Sequence, residues 1–387
     1  MKRTIRDIDV AGKTVFLRVD FNVPIDDNGI ITDDTRIRLE LPTIRYLLQH
    51  NAKVIICSHL GRPNGEKNPK YSLLPVAKYL VKELLGRVFF VGDCIGTEVE
   101  VKAKSLKPGE VLLLENVRFY KEEENNDPIF AKKLASLADI YVDDAFGTAH
   151  RKHASNYGVA SLLPNAVGFL MGKEINAIKS VIDNPERPLV AILGGAKVSD
   201  KIQLINHLLD RCNTLLIGGG MAFTFLKAQG INVGNSLVDN EKLDLAREII
   251  QKAKEKSVKL VLPIDFLCAT EFSPNAKAKK FKELIPDGYQ GLDIGPKTIK
   301  LFKNEIKQAK SIVWNGPLGV FEFKNFNKGT IEVAKMILKF KGKAVVGGGD
   351  SVSAIKKVGN TDKIYHISSG GGASLKLMAG ENLPGVD

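Results

Sequence analysis

Two kinds of hydrophobic pattern alternate along the chain. Short runs of β-branched and aliphatic residues, such as TVFLRV at 14–19 and KVIICS at 53–58, are followed by longer segments with apolar residues at helical spacing, such as Thr35 to Gln49. Continuous apolar runs of this length are typical of strands buried on both faces, and their alternation with helices is typical of parallel sheets. A helix from Leu74 to Leu85 and strands at VLLLEN (111–116) and IYVDD (140–144) extend the pattern.

The same alternation starts again after Pro188. Strands are predicted at LVAILGG (189–195), TLLIGGG (214–220), KLVLP (259–263), SIVWNG (311–316), KAVVGGG (343–349) and KIYHISS (363–369), with helices at 200–211 and 243–256. Between the halves, Ile175, Ile178 and Ile182 fall at helical spacing, and the prolines of NPERP (184–188) stop that helix. We therefore predict an α/β protein with two Rossmann-like parallel-sheet lobes, each of α/β/α layers, joined by an interdomain helix and hinge.

Length and composition agree with two domains. A chain of 387 residues with 44% apolar content exceeds the size at which single hydrophobic cores stop growing. No apolar run approaches the length of a membrane span, and the N-terminal MKRTIRDID has no apolar segment behind its basic residues. The four cysteines, Cys57, Cys94, Cys212 and Cys268, are far apart and form no CxxC pair. We expect reduced thiols in a cytoplasmic protein, rather than a metal site.

The net charge of +12 indicates a polyanionic partner, either nucleic acid or a phosphorylated metabolite. The densest basic cluster, Lys277, Lys279, Lys280 and Lys282, has only Phe281 beside it and lacks interleaved aromatic residues. Most other lysines stand singly on helical segments, where a solvated face is the simpler interpretation. A dedicated nucleic-acid surface is therefore the less favoured alternative.

Glycine-rich loops follow the strands of the second half. In open parallel sheets ligands bind beyond the carboxyl ends of the strands, and glycine lets backbone N–H groups approach a phosphate closely. Tight strand-to-helix turns alone could explain any one of these loops, but hardly all five. None matches G-x-x-x-x-G-K-[ST] or G-x-G-x-x-G, which argues against a Walker-type kinase and a standard dinucleotide fold. The loops are Gly194 to Lys197, Gly218 to Gly220, Asn315 to Gly319, Gly347 to Ser351 and Gly370 to Ala373.

The loops of the first half carry arginine and histidine instead. Arginine presents a planar, permanently charged fork that suits phosphate and carboxylate. Each arginine alone could be a surface ion pair, and His59 could equally donate to an anion or be satisfied within its turn. Their shared position beyond the strands favours a site for a small polyanion. The candidates are Arg36, Arg62, Arg118 and Arg151.

Asp350 opens a predicted helix after a glycine turn. Its carboxylate suits Mg²⁺, which shares ligation between a carboxylate and nucleotide phosphates, although a helix-capping role explains Asp350 and Ser351 equally well. Lys197 and Lys201 would share one helix face if the helix already starts at Lys197. No G-x-S-x-G, HExxH or paired-carboxylate motif is present. Phosphoryl transfer needs little covalent chemistry from the protein, and a carboxylate acceptor needs no general base.

Motifs along nearly the whole chain resemble those of the phosphoglycerate kinase family. They are RVDFNVP (18–24), DDTRIR (33–38), SHLGRP (58–63), ENVRF (115–119), DDAFGTAHRKHAS (143–155), LGGAKVSDKI (193–202), IGGGMAFTFL (217–226), LDIGP (292–296), WNGPLGVFE (314–322), GGGDS (347–351) and SSGGGASLKLMAG (368–380). The resemblance implies the glycolytic transfer of a phosphoryl group between 1,3-bisphosphoglycerate with MgADP and 3-phosphoglycerate with MgATP, by a monomer that bends at a hinge.

The resemblance also implies a role for individual residues. Phosphoglycerate would bind Asp20, Asn22, Arg36, His59, Arg62, Arg118 and Arg151. The nucleotide would bind Gly195, Ala196, Lys197, Lys201, Gly220, Gly291, Asn315, Pro317, Gly319, Glu322, Gly348, Gly349, Asp350 and Ser351. Asp350 would contact Mg²⁺, and Arg36, Lys197 and Lys201 would be the catalytic residues.

The resemblance further implies domain boundaries. The phosphoglycerate lobe would comprise residues 1–168, completed by the C-terminal segment 370–387, whose destination the pattern of apolar residues leaves open. An interdomain helix and hinge would occupy 169–187, and the nucleotide lobe 188–369. The rival functions are another small-molecule kinase or dinucleotide enzyme, against which the arginine-rich loops argue, and a nucleic-acid-binding protein.

Overall fold

The computed structural model describes residues 3–386 and divides into two compact units. The first unit runs to Ile175 and includes the chain from Asn382 onward, and the second comprises Asn176–Glu381. The division falls inside the helix Phe169–Ile182, which the apolar spacing of the sequence predicts. Among residues 3–386, no helix has the length and apolar character needed to cross a membrane.

The first unit is built on a six-stranded parallel sheet with the order β3-β4-β2-β1-β5-β6. Its strands are β1 Thr14–Arg18, β2 Lys53–Cys57, β3 Val88–Phe90, β4 Val111–Leu113, β5 Ile140–Asp143 and β6 Asn165–Val167. Its helices are α1 Thr35–Gln49, α2 Leu74–Glu83, α3 Thr97–Ser105, α4 Lys121–Glu124 and α5 Pro128–Ala135, followed by α6 Phe169–Ile182.

Both faces of this sheet are buried, which explains why its strands are apolar at every position rather than at alternate positions. On β1, Val15 and Leu17 pack with Ile37 and Ile44 of α1 in one core cluster. Phe16, between them, points to the other face and belongs to a separate cluster. The alternation of side chains along a strand divides one apolar run between the two cores.

The second unit contains another six-stranded parallel sheet, with the order β15-β14-β13-β7-β8-β9, and a small antiparallel sheet with the order β11-β10-β12. Its strands are β7 Leu189–Leu193, β8 Thr214–Ile217, β9 Lys259–Val261, β10 Asp265–Ala269, β11 Lys279–Lys282, β12 Gln290–Ile294, β13 Ser311–Asn315, β14 Lys343–Gly347 and β15 His366–Ile367. Its helices are α7 Ile202–Leu209, α8 Met221–Ala228, α9 Leu243–Glu255, α10 Pro296–Gln308, α11 Lys328–Lys339, α12 Gly349–Val358 and α13 Gly372–Met378.

The predicted alternation of strands and helices is confirmed, although helices such as α3, α5, α8, α10 and α11 were not predicted individually. The short strands β3 and β6, three residues each, and the antiparallel sheet β10 to β12 are absent from the prediction. Three lysines of the basic cluster, Lys279, Lys280 and Lys282, lie on β11, the edge strand of that antiparallel sheet, and Lys277 precedes it. The Lys279 ammonium stands 5.3 Å from the ring centroids of Phe281 and Tyr289. Lysine on an edge strand discourages pairing with another chain, so the position of these lysines explains part of the positive charge in structural terms.

Each parallel sheet has one point where the chain order reverses. In the first sheet β1 lies between β2 and β5, and in the second β7 lies between β8 and β13. Loops that leave such neighbouring strands in opposite directions open a crevice at the carboxyl ends, where ligands of open α/β sheets bind. The arginine-rich and glycine-rich loops lie at these two places.

Candidate functional site

The loop after β1 in the first unit is fastened to helix α1. Asp20 accepts two hydrogen bonds from Nη1 of Arg36, at 3.1 Å to Oδ1 and 3.0 Å to Oδ2. The side chain of Arg36 remains 39% exposed. Because a guanidinium has five N–H donors, Arg36 keeps donors for an anion while Asp20 fixes its direction.

The loop after β2 packs against the same place. The Oδ1 atom of Asn22 accepts a hydrogen bond from the Gly61 N–H at 2.9 Å, and Nη1 of Arg118 donates to the Gly61 carbonyl at 3.0 Å. His59 is buried, with Nε2 at 3.9 Å from Oδ1 of Asp20. Asp20, Asn22, His59, Arg36 and Arg118 thus come together at the carboxyl edge of the first sheet.

Arg18, which the sequence reasoning missed, lies beneath this cluster. It is fully buried at the end of β1, where its Nε donates to Ser155 Oγ at 2.7 Å and its Nη2 lies 3.3 Å from His59 Nδ1. A guanidinium only donates, so His59 Nδ1 must be the acceptor and the neutral ring carries its proton on Nε2. A charged residue that closes an otherwise apolar strand, as Arg18 closes TVFLR, is the signal that could have found it.

A buried carboxylate completes the network around Arg18. Glu123 accepts hydrogen bonds from the N–H and the Oγ of Ser155, at 2.8 and 2.6 Å, and lies 4.0 Å from Arg18. Its Oε1 is also 3.7 Å from Nδ1 of His153. The missed residues Glu123, Ser155 and His153 support the site from below.

Burial among arginines keeps the histidines neutral. Desolvation, followed by the charges of Arg18 and Arg118, lowers the pKa of His59 well below its usual 6.5. The same causes lower the pKa of His153 to about 3, with burial first and Arg118 second. Desolvation also lowers the pKa of Arg118 to about 10, so its guanidinium remains charged at neutral pH. The site therefore holds its positive charge on arginine alone.

Arg62 and Arg151 stand at the outside of the cluster. Arg62 is exposed in the loop after β2, and Arg151 is half-buried, with its Nε donating to Nε2 of His150 at 3.2 Å. Arg118 is fixed by the Gly61 carbonyl, which leaves Arg62 and Arg151 as the outer pair of arginines. These side chains are the ones free to reorient around an incoming anion.

The glycine-rich loops of the second unit meet at the reversal between β7 and β13. Gly194 N–H donates to the Asn315 carbonyl and Gly195 N–H to the Pro317 carbonyl, both at 3.0 Å. A Cβ on Gly194 would stand 1.9 Å from the Pro317 carbonyl oxygen, so only glycine permits this approach. The predicted nucleotide loops are thereby locked together through their backbones.

Lys201 is directed into this junction. Its ammonium donates to the Asn315 carbonyl at 2.9 Å, and desolvation lowers its pKa to about 8, opposed by Asp200 and Asp350. Lys197 is exposed and precedes the 3₁₀ turn Ser199–Lys201, which leads into α7. The condition for the two lysines to share a helix face is therefore not met, because no helix has begun at Lys197.

The loop after β14 leads into α12, whose N-cap residue is Gly348. The helix has no side-chain cap, so the capping roles considered for Asp350 and Ser351 are wrong. Asp350 is exposed in the first turn, while Ser351 is buried and its Oγ accepts the Gly316 N–H at 2.8 Å. Ser351 thus ties two loops together, and Asp350 leaves its carboxylate available.

A cavity of about 330 Å³ opens beside these loops. Its polar wall includes the predicted residues Gly195, Ala196, Gly220, Gly291, Pro317, Gly319, Glu322 and Asp350. Its apolar wall includes Phe223, Leu237 and Phe272, which the sequence reasoning missed, and Phe272 is 63% exposed. Lys197, Lys201, Asn315, Gly348, Gly349 and Ser351 are not among the lining residues.

Asp293 is a further missed residue of this wall. It is buried and accepts hydrogen bonds from the N–H groups of Ile294 at 2.9 Å and Gly329 at 2.8 Å. Burial raises its pKa to about 8 despite these donors. A Cβ on Gly319 would stand 2.3 Å from Asp293 Oδ1, so Asp293 packs directly beneath the loop after β13.

The two sites have complementary chemistry. The first offers arginine forks and a neutral imidazole donor for a small anion, and the second offers an apolar wall, backbone N–H groups, a lysine and a carboxylate. An apolar wall with a few convergent polar groups is the usual form of a small-molecule site. Among residues 3–386 there is no group of three or more His, Cys, Asp or Glu side chains that could hold a metal unaided.

Comparison with known proteins gives one consistent result. The sequence profile described as phosphoglycerate kinase matches residues 5–381. A phosphoglycerate kinase of Thermosipho africanus is 56% identical over 100% of this chain and 97% of its own length. Phosphoglycerate kinase 3, cytosolic, of Arabidopsis thaliana is 56% identical over 99% and 96%. The solved phosphoglycerate kinase of Coxiella burnetii superposes with a TM-score of 0.91 at 41% identity, over 100% of this chain and 98% of that one.

Proposed function

The chain belongs to the phosphoglycerate kinase family, and from that premise we propose how its residues divide the reaction between two sites. The enzyme is a phosphotransferase of glycolysis, whose substrates are a phosphoglycerate and ATP or ADP. It transfers a phosphoryl group between 1,3-bisphosphoglycerate plus ADP and 3-phosphoglycerate plus ATP. The proposal concerns which groups bind each substrate and which act on the moving phosphoryl group.

The phosphoglycerate is held by the cluster at the carboxyl edge of the first sheet. The observation that carries this assignment is the pairing of a half-exposed Arg36 with Asp20 above a buried, neutral His59. Arg118 adds a further fixed guanidinium, and the exposed Arg62 and Arg151 close on the anion from outside. Asn22 fixes the loop through Gly61. Charge-assisted bonds from arginine favour a ligand with a phosphate and a carboxylate.

The nucleotide binds at the glycine-rich loops of the second unit. The base and ribose occupy the cavity between Gly291, Pro317, Gly319 and Glu322, against the apolar wall. The phosphates then reach the loops that hold Lys197, Lys201 and the N-terminus of α12. The remaining members of the proposed set are Gly195, Ala196, Gly220, Asn315, Gly348, Gly349, Asp350 and Ser351.

The residues at this site fit a magnesium ion. Asp350 is an exposed carboxylate on the cavity wall, and Mg²⁺ in nucleotide sites commonly takes one or two protein carboxylates together with phosphate oxygens. Asp350 would therefore hold the ion. When bound, the ion neutralises negative charge on the β- and γ-phosphate oxygens.

Arg36, Lys197 and Lys201 are the proposed catalytic residues. Their cationic groups stabilise the negative charge on the transferring phosphoryl group, which is the principal protein contribution to this chemistry. The carboxylate of 3-phosphoglycerate is already a nucleophile, so no protein group has to remove a proton. The lowered pKa of Lys201, about 8, means that its charge begins to be lost above neutral pH.

The experiment that tests the assignment is a coupled assay of ATP-dependent phosphorylation of 3-phosphoglycerate with Asp350→Ala beside the wild type. We expect activity with MgATP to fall strongly while the melting temperature stays unchanged, because Asp350 does not cap α12. Lys356→Ala, on the same helix, is the matched control and should retain activity. Normal turnover by Asp350→Ala with a lower melting temperature would contradict the proposed metal role.

The same proposal includes a monomeric cytoplasmic enzyme with two lobes joined by an interdomain helix and hinge at 169–187. The end of the chain completes the first lobe: the predicted segment is 370–387, and the first compact unit includes the chain from Asn382 onward. Four buried cysteines, all in the reduced form, are consistent with a reducing compartment, and relatives from Arabidopsis thaliana and Triticum aestivum are named cytosolic. Light scattering after size-exclusion chromatography checks the oligomeric state.

A further inference from the structure

Two buried carboxyl groups face each other behind the candidate phosphoglycerate site. Glu40 on α1 and Asp144, directly after β5, are both fully buried, and their carboxyl groups are close enough for a hydrogen bond if one of them carries a proton. Glu40 Oε1 accepts the Asp20 N–H at 3.0 Å, and Asp144 Oδ1 accepts the Met171 N–H at 2.8 Å. The second oxygens, Glu40 Oε2 and Asp144 Oδ2, are buried and have no donor in good hydrogen-bond geometry among residues 3–386.

One proton between the two groups resolves this arrangement. Two ionised carboxylates would present only acceptors to each other, at the full cost of burying two like charges. If one group is a neutral acid, its O–H donates to the other and both second oxygens gain a partner. The pair then carries one negative charge and titrates as a unit.

The surroundings determine which group carries the proton. Asp144 receives the N–H groups of Leu170 and Met171 in the first turn of α6 and lies beside the Thr43 hydroxyl, all of which favour its ionised form. Glu40 receives only the Asp20 N–H. Burial and the neighbouring Asp144 raise the pKa of Glu40 well above its usual value, and burial raises that of Asp144 to about 6. The proton therefore belongs on Oε2 of Glu40.

We propose that Glu40 is a positioning residue for phosphoglycerate binding, which as a neutral acid joins the backbone of Asp20 to Asp144 and so to the first turn of α6. This inference rests on the proposed function, since it takes Asp20 and Arg36 as members of the substrate site. It assigns a role to a hydrogen-bonded acid that itself touches no substrate.

The consequence for the site follows from the spacing on α1. Arg36 lies one turn before Glu40, so the Asp20 loop is fastened to a single helix at two points, by three hydrogen bonds. Glu40 fixes the Asp20 backbone, and the Asp20 carboxylate directs Arg36. The charged and titratable groups around Glu40 are Asp20, Asp144 and, through Asp20, Arg36. A neutral Glu40 leaves the Asp20 carboxylate as the anion that pairs with Arg36.

Substitution of Glu40 distinguishes a neutral acid from an ionised one. In Glu40→Gln the amide oxygen accepts the Asp20 N–H and the amide N–H donates to Asp144, so the variant reproduces the protonated acid. We expect it to keep the KM for 3-phosphoglycerate within about twofold of wild type. Glu40→Ala removes both bonds and should raise that KM about tenfold, with the KM for ATP unchanged. A Glu40→Gln variant as impaired as Glu40→Ala would overturn the proposal.

A double-mutant cycle tests the shared proton without using activity. In Asp144→Asn the amide can still donate to an ionised Glu40, so either single amide leaves one donor between the groups. In the double variant Glu40→Gln/Asp144→Asn two NH₂ groups face each other, and we expect its melting temperature to fall by more than the sum of the single effects. If both carboxylates were ionised, each amide would instead remove repulsion between them. Additive effects on the melting temperature, or a double variant more stable than the wild type, would therefore overturn the inference.

An infrared measurement covers the case in which a variant does not fold. Wild-type enzyme labelled with ¹³C-glutamate should show a protonated carboxyl band at pH 8, lost in Glu40→Gln and retained in the surface control Glu83→Gln. Absence of that band in the wild type would overturn the inference. If the double-mutant cycle and the infrared band are as predicted but no Glu40 variant changes the KM for 3-phosphoglycerate, the positioning role is wrong. A wild-type enzyme without kinase activity would count against the proposed function alone.

Discussion

At the scale of single residues, the proposed phosphoglycerate site combines fixed and exposed cations. Arg18 is buried beneath His59, and Arg118 is held by the Gly61 carbonyl. Arg62 is exposed and Arg36 partly so. The fixed groups shape the site, and the exposed groups retain the conformational freedom to follow the ligand.

Arg62→Ala should weaken phosphoglycerate binding and leave nucleotide binding almost unchanged, because the arginine belongs to the first unit. Loss of one charge-assisted contact costs about 1.5 to 3 kcal/mol, which should appear in the KM for 3-phosphoglycerate. Steady-state kinetics with each substrate varied in turn measures this. Arg45→Ala, an exposed α1 arginine paired with Glu83, is the control, and an unchanged KM in Arg62→Ala would remove this residue from the site.

His153 should make a specific contribution to the pH dependence of stability. Its folded pKa of about 3 lies below the usual 6.5, so between these values the unfolded chain binds more protons than the folded one. The contribution is therefore present above pH 6.5 and is lost as the pH falls toward 3, by up to about 1.4 kcal/mol per pH unit.

Urea unfolding from pH 7 to pH 4 of the wild type and of His153→Gln measures that contribution. The difference between the two proteins isolates His153 from groups of opposite sign, such as Asp143, whose pKa burial raises to about 7. We expect the free energy of unfolding to fall more steeply with acidification in the wild type. Parallel curves would contradict a neutral buried His153.

At the scale of elements, the proposed nucleotide site is built mainly from a junction of loops. The loops after β7 and β13 are joined by backbone hydrogen bonds, and Ser351 of α12 joins the same junction through Gly316. Such contacts require glycine where one backbone meets another. Even an uncharged side chain at these glycine positions would push the loops apart.

Gly194→Ala should therefore reduce both nucleotide affinity and stability, because its Cβ would collide with the Pro317 carbonyl oxygen. Either the loop after β7 or the loop after β13 must move. Isothermal titration with ADP and a thermal melt measure the two effects. Gly92→Ala, where a Cβ would meet nothing within 4 Å, should change neither quantity. Equal behaviour of the two variants would show that the junction can adjust.

At the scale of the whole molecule, the proposed substrate sites lie on separate units of one chain. In-line transfer requires the reacting atoms to approach to about 3 to 3.5 Å, and exclusion of water protects the acyl phosphate. If each substrate binds its own unit, as proposed, only the two together provide binding energy that favours a closed state.

Small-angle scattering of the free enzyme, of each binary complex and of the complex with 3-phosphoglycerate and MgADP tests this mechanism. We expect the radius of gyration to decrease fully only when both ligands are bound. A full decrease with one ligand, or none with both, would contradict closure driven by the pair.

The sequence by itself determined the elements whose order depends on local pattern. The helix Thr35–Gln49 begins and ends where its apolar spacing predicts, and β13 and β14 follow directly from their apolar runs. The motifs also identified the family, and many of the residues named at strand ends lie together at one of the two candidate sites. These predictions succeed because hydrophobic periodicity and strand-end position are properties of a short stretch of chain.

Only the tertiary structure decided the roles that depend on partners distant in sequence. The neutral state of His59 comes from burial and from Arg18, 41 residues away. The pairing of Glu40 with Asp144 comes from burial between α1, β5 and α6. The sheet of β10 to β12 and the three-residue strands β3 and β6 likewise exist through their neighbours. Burial and pairing are collective properties of the packed chain, so a pattern of residue types cannot specify them before the fold brings those residues together.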